Sequence, residues 1–266
     1  MGNIRYLLLG GIGAALLSPV FAWAAAPPIV LTPGSYNQDG VVEAGAVDDP
    51  TTHFSNFITA TMDGGTAKNG GVWYQQGLNS AAPTTGLPVG VAVSASDATT
   101  SFVLRPYTGN NVRLLDGANA SGTLTLAAPA AYSKLSFLTA SGNGTGTLSL
   151  IVHFADAFAN LTGLAVTAPD WFNNTPIAVN SNGRVTASSG AYDNVNAGNP
   201  RLYQEDVTIG GEAANHPISS IDVSFSGSGG DTHTMVFAVS GTPTPEPGCI
   251  GLLAVGAAGL LGRRRR

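Results

Sequence analysis

The chain has a single cysteine, Cys249, in 266 residues. It sits in a C-terminal apolar run, so no disulfide can staple the body and no cysteine-ligated zinc site can form there. The four histidines, His53, His153, His216 and His233, include neither an HExxH pattern nor a pair four residues apart, so no zinc-ligand spacing is present. There is no GxSxG elbow and no GxxxxGK loop, which removes the serine-elbow hydrolases and the phosphate-loop enzymes. No amphipathic helical stripe runs between Pro27 and Thr244, and no repeat of fixed period points to a propeller or solenoid.

Basic residues are also scarce. Between the two terminal segments described below, six Lys and Arg stand against fifteen Asp and Glu, a net charge of −9. Such a surface repels nucleic acid and acidic lipid. It suits neutral sugars, bound cations or plain solubility. Gly, Ser, Thr, Asn and Ala are plentiful, as in exported β-rich proteins.

Residues 1–24 have the layout of a secretory signal peptide. Arg5 gives the positive start, 7–17 the apolar helix, and Pro19 a break before the cut. Ala22 and Ala24 supply the small residues that a signal peptidase reads, placing cleavage after Ala24. A cut after Ala26 would put Pro27 next to the scissile bond. No cysteine lies nearby for a lipid anchor.

The other end carries three features in order. Pro245, Glu246 and Pro247 form a stiff polar hinge, 249–261 is apolar, and Arg263, Arg264, Arg265 and Arg266 close the chain. Four guanidinium groups resist passage through hydrocarbon and stay on the cytoplasmic side, so the body faces outward. Thirteen helical residues reach roughly 20 Å against a hydrocarbon core of about 30 Å. Glycines loosen the segment further, which fits a temporary hold better than a permanent anchor. This tail, 244–266, with a transmembrane helix at 249–262 and a basic end at 263–266, resembles the PEP-CTERM sorting signal of Gram-negative bacteria. The resemblance implies recognition by an exosortase at the inner membrane, removal of the tail, and delivery to the cell surface or its exopolysaccharide.

Within 25–243, short alternating segments bounded by Gly, Asn, Asp and Pro predict about a dozen strands. The clearest is 146–156, with Leu148, Leu150, Val152 and Phe154 on the buried face and Ser149, Ile151 and His153 opposite. Residues 220–228 put Ile221, Val223 and Phe225 inward, and 234–240 put Met235, Phe237 and Val239 inward. Residues 101–107 and 122–128 alternate in the same way. Further strands are expected at 40–44, 54–61, 71–75, 90–96, 110–115, 134–140, 164–169, 183–188 and 201–209, and a long loop at 80–87. One all-β domain follows, an antiparallel β-sandwich with jelly-roll-like topology, flanked by the N-terminal signal helix and the C-terminal transmembrane helix.

Several landmarks are similar to those of galactose-binding-like sandwiches among exported PEP-CTERM bodies. They are Tyr36-Asn37 before Val41-Val42-Glu43, Gly86-Leu87-Pro88, Pro106-Tyr107 with Asn110-Asn111, 122–126, 199–203 and 237–241. That resemblance implies the fold and carbohydrate binding, with no catalytic assignment.

Neutral sugars are bound by an aromatic face and by Asp, Asn or Arg side chains. The candidates for such a site are Trp171 with Asp170 and Asn173, then Trp73, then Tyr192; the plainer alternative for each tryptophan is a core plug. Arg201, Tyr203 and Glu205 share a face, where an internal ion pair closing two loops is expected, and Arg184 has the same alternative. No cofactor and no metal ligand set is expected. The oxygen-rich turns at 37–40, 48–49 and 229–231 would suit a structural calcium ion, but they are also ordinary β-turn residues. Two functions follow. The first is a non-catalytic surface protein bound to exopolysaccharide, with signal peptidase and exosortase as partners during export and no nucleic-acid partner. The alternative is a secreted polysaccharide hydrolase, for which fifteen acids guarantee some close pair but name none.

Overall fold

A computed structural model describes residues 25–78, 86–117, 119–193, 198–227 and 232–244. The segment 1–24 with Ala22 and Ala24, the hinge of Pro245, Glu246 and Pro247, the apolar stretch 249–262 and Arg263 to Arg266 lie outside the described residues, as does the turn at 229–231. Among the described residues no helix is long and apolar enough to cross a membrane.

The described chain is all-β, with two short 3-10 turns at Pro33–Ser35 and Gly211–Asn215. In chain order the first strands are β1 (Pro28–Ile29), β2 (Val41–Val42), β3 (Gly71–Tyr74), β4 (Val91–Val93), β5 (Ser101–Val103) and β6 (Arg113–Leu115). The long strands follow: β7 (Ser121–Ala130), β8 (Tyr132–Gly142), β9 (Gly146–Phe154) and β10 (Leu161–Ala168). Then come β11 (Val179–Asn180), β12 (Arg184–Thr186), β13 (Tyr192–Asp193), β14 (Arg201–Thr208), β15 (Ile218–Gly227) and β16 (His233–Pro243).

One sheet runs β1-β16-β8-β14-β11, with β6 also paired to β16. A second runs β10-β9-β15-β7. Two smaller ones are β13-β12-β3-β2 and β4-β5. All named pairs are antiparallel except β2 with β3.

The second sheet packs on the first through a core that includes Leu124, Leu148, Leu150, Val152, Ile221 and Val223 on one side and Leu135, Phe137, Val207 and Val239 on the other. On the opposite face of the first sheet, Leu138, Ala140, Met235 and Phe237 pack against Trp73, Phe102, Leu104 and Trp171. The first sheet is therefore a middle layer. Removing each large apolar side chain from water contributes roughly 1.5–3 kcal/mol, and this layer does so on both faces. A third, smaller cluster gathers Val42, Phe54, Ile58, Val72, Tyr74 and Val185 under the sheet that contains β3.

This layering changes the expected pattern for 234–240. The register of β16 on β8 shifts between Val236 and Ala238. Met235 and Phe237 stay in one core, while Val239 joins Val236 in the other. A β-bulge moves one residue out of step and turns the following side chains to the opposite face. The strand expected at 54–61 is instead a run of turns. His53 at its entry has φ 49°, and Phe54 and Ile58 reach the core without a ladder. In the expected loop, 79–85 lie outside the described residues, whereas Leu87 is buried and its N–H donates to Tyr74 O at 2.8 Å.

Candidate functional site

Four of the five candidate sugar-binding residues come together. Trp73 is on β3, and Asp170, Trp171 and Asn173 lie in the loop after β10. The Trp73 and Trp171 rings meet edge to face, with centroids 5.3 Å apart, and Trp73 also meets Phe237 at 5.7 Å. Trp73 is 0% exposed and Trp171 2%. A sugar stacks on an open ring face, and neither indole has one. Both are plugs between the middle sheet and the layer that contains β3.

The polar residues beside them hold the loop. Asp170 accepts hydrogen bonds from the Gly144 N–H (2.8 Å) and the Phe172 N–H (2.9 Å). Asn173 takes the left-handed backbone conformation, φ 64°, which Asn tolerates better than most residues. Its N–H donates to Asn199 Oδ1, and Asn199 Nδ2 donates back to Asn173 Oδ1. Tyr192, on β13, is half-buried, and its hydroxyl donates to Asn182 O at 3.1 Å. Its ring packs edge to face on Tyr74.

Arg184 on β12 crosses this region. Its Nη1 is 2.8 Å from Asp63 Oδ2 and its Nε 3.2 Å from Asp193 Oδ2, while its Cζ lies over the Phe172 and Trp171 rings. The ion pair expected of it is present. Arg201 closes two loops as expected, but by donating to the carbonyls of Gly198 and Asn174, with no ion pair to Glu205 among the described residues. Burial pushes the Asp63 carboxyl up, against the opposing pull of the Gly71 N–H and then Arg184.

Two other acids carry larger shifts. Asp39 is pushed up from 3.8 to about 7, chiefly by burial, against hydrogen bonds from Asn111 and the Val41 N–H and with a further push from the charge of Glu43. Asn111 Nδ2 donates to Asp39 Oδ1, and Gly40 N–H to Asn111 Oδ1. Glu205 rises to about 7, by burial first and the neighbouring Asp206 second. The turn acids have protein partners. Asp49 accepts from the Thr51 and Thr52 N–H groups, and Asp48 Oδ1 lies 2.7 Å from His53 Nδ1. Among the described residues no group of three or more His, Cys, Asp or Glu is placed to hold a metal ion.

An open groove of about 300 Å³ lies on the outer face of the second sheet, lined by Ser121, Thr123, Ile151, Asp222 and Ser224. Register sets this surface. Thr123 and Ile151 flank Asp222, and Ser121 and Ser149 flank Ser224. His153 Nε2 is 2.7 Å from Asp222 Oδ2, and Thr123 Oγ1 donates to Asp222 Oδ1 at 2.7 Å. Sequence alternation places Ser149, Ile151, His153, Asp222 and Ser224 on the outer face; only the strand pairing shows that β7 adds Ser121 and Thr123 to it.

No family model matches the chain, and no curated protein matches it. Among solved structures it is similar to the Eiger TNF of S. frugiperda, at 12% identity over 51% of this chain and 73% of that chain, with a TM-score of 0.21. A likeness of that size carries no argument about fold or function.

Proposed function

We propose that the chain is an exported, non-catalytic PEP-CTERM protein, released from its signal peptide and handed to an exosortase at the inner membrane of a Gram-negative bacterium. It is held there briefly by 249–262 and then moves to the cell surface, where it associates with exopolysaccharide. The single observation that carries this is the order of Pro245, Glu246 and Pro247, the apolar segment and four terminal arginines. The all-β, cysteine-free, acidic body is compatible with that destination. The body is best read as jelly-roll-like. In support, β8 leads into β9 and β15 into β16, and both ribbons cross from one sheet to the other while β8 pairs with β16 and β9 with β15.

For the polysaccharide, the hydroxyl-rich groove on the second sheet is a better surface than the buried tryptophans. Ser121, Thr123, Ser149 and Ser224 offer donors and acceptors to neutral sugar hydroxyls, and Ile151 offers a small apolar spot. The sorting half is tested by replacing Pro245, Glu246 and Pro247 with Ala and locating the protein. Retention in the inner membrane supports the proposal; unchanged delivery to the surface refutes it. The binding half is tested by a pull-down on the organism's own polysaccharide with wild type and Ser149→Arg/Ser224→Arg. Equal capture of both refutes the groove.

A further inference from the structure

The body holds six Lys and Arg side chains, and five have oxygen partners among the described residues. Lys68 donates to Ser55 O, Arg113 to Ser35 O and Gly34 O, and Arg201 to Gly198 O and Asn174 O. Lys134 pairs with Asp206 and Asp97, and Arg184 with Asp63 and Asp193. Arg105 is different. Among the described residues it has no ion pair and no hydrogen bond, and its Nε is buried without an acceptor. Its guanidinium carbon lies 5.0 Å from the centre of the Tyr36 ring. In a body with fifteen acids against six bases, a half-buried guanidinium that faces no carboxylate is unusual. Leaving that buried Nε–H unmatched is costly, whereas an anion that accepted from it would be held by a charge-assisted bond.

Arg105 borders a partly enclosed cavity of about 120 Å³. Its walls are apolar: Ile29, Val30 and Leu31 from the β1 segment, and Val103, Leu104 and Pro106 around the end of β5. Tyr36 completes them. The Tyr36 phenol is buried and forms no hydrogen bond among the described residues. Burial raises its pKa to about 12, against the opposing pull of Arg105, so it remains a proton donor at neutral pH. One cation, one phenol and an otherwise hydrocarbon wall describe a receptor for a compact anion with a carbon frame. A phosphate or sulfate would find too few donors.

We propose that this cavity binds a carboxylate on a frame of a few carbons, with the Arg105 guanidinium on its oxygens, the Tyr36 hydroxyl as a further donor and the aliphatic walls around its carbons. Two sources share that chemistry: a free short-chain organic acid and the acid group of a uronic or pyruvylated sugar. The site makes no use of the C-terminal tail and stands apart from the sorting proposal.

The test is titration calorimetry of the exported protein with butyrate, pyruvate, glucuronate and a polyuronate, and with butanol and phosphate as controls. At least one carboxylate is expected to bind saturably at one per chain. Arg105→Gln should weaken it by about tenfold or more, Arg105→Lys by less, and Tyr36→Phe by a few-fold, because a charge-assisted fork is roughly twice as strong as a neutral hydrogen bond. Where Arg105→Gln fails to fold, Val103→Phe at the exposed edge of the cavity fills the space with the cation intact and should abolish binding. Butyrate or pyruvate binding identifies the free acid as the source, and binding of glucuronate or polyuronate alone identifies the sugar. No binding by any carboxylate overturns the proposal, as does binding indifferent to both Arg105→Gln and Val103→Phe, or equal binding of butanol or phosphate.

Discussion

Strands β9 and β16 are close in length and composition, yet they live in different surroundings. Along β9, Leu148, Leu150 and Val152 are buried while Thr147, Ser149 and Ile151 are exposed. Along β16, the residues from Thr234 through Gly241 are buried without interruption. β9 belongs to an outer sheet with one wet face, and β16 to a middle sheet covered on both. Alternation reports how many faces of a sheet are dry; it does not report where in the stack the strand sits.

The largest effect expected from this contrast is in the middle sheet. Phe137→Ala and Phe237→Ala, one on each dry face, should each lower unfolding free energy by about 3–5 kcal/mol, measured by urea denaturation. A loss below about 1 kcal/mol at either position would mean that its face is not a packed core.

Next comes a buried acid held by Asn111. Asp39 has a folded pKa raised to about 7 from 3.8. The native state therefore holds the proton more tightly than the unfolded chain does. The stabilisation from protonation is complete below about pH 3.8 and is lost as pH rises through about 7. Asp39→Asn should flatten the decline in stability between those values and raise stability at pH 8 by roughly 2–4 kcal/mol. Glu205, also raised to about 7, leaves a residual slope. Equal pH profiles for wild type and variant would count against the desolvation of Asp39.

A smaller change is expected at Arg184. Arg184→Met leaves Asp63 and Asp193 without their cation and should cost about 2 kcal/mol, below the value for a fully buried pair because the side chains stay partly wet. The smallest belong to the wet face. Ser149→Ala and Asp222→Asn should each change stability by less than about 1 kcal/mol. Larger losses there would erase the distinction between the outer and middle sheets.

Much of the strand pattern is legible in the sequence. The expected strand at 146–156 is β9, 122–128 falls within β7, and 220–228 overlaps β15, because each has one dry face and a strict period of two. What is not legible follows from tertiary covering. Trp171 beside Asp170 and Asn173 has the composition of a binding loop, but Asp170 accepts from the Gly144 and Phe172 N–H groups, Asn173 is tied to Asn199, and the ring fills a gap against Trp73. The 54–61 segment supplies apolar residues to the core through turns, which carry no period. Arg105 bears no motif. Its setting is made by the fold, which gives each other cation of the body an oxygen partner and leaves the Arg105 Nε without one among the described residues.

The sorting proposal is tested most directly by mass spectrometry of the protein recovered from the cell surface or medium. A mature chain that begins near Ala25 and ends near Pro247, without the four arginines, is the predicted result. An intact chain of 266 residues, recovered from the cytosol with both ends attached, would contradict it.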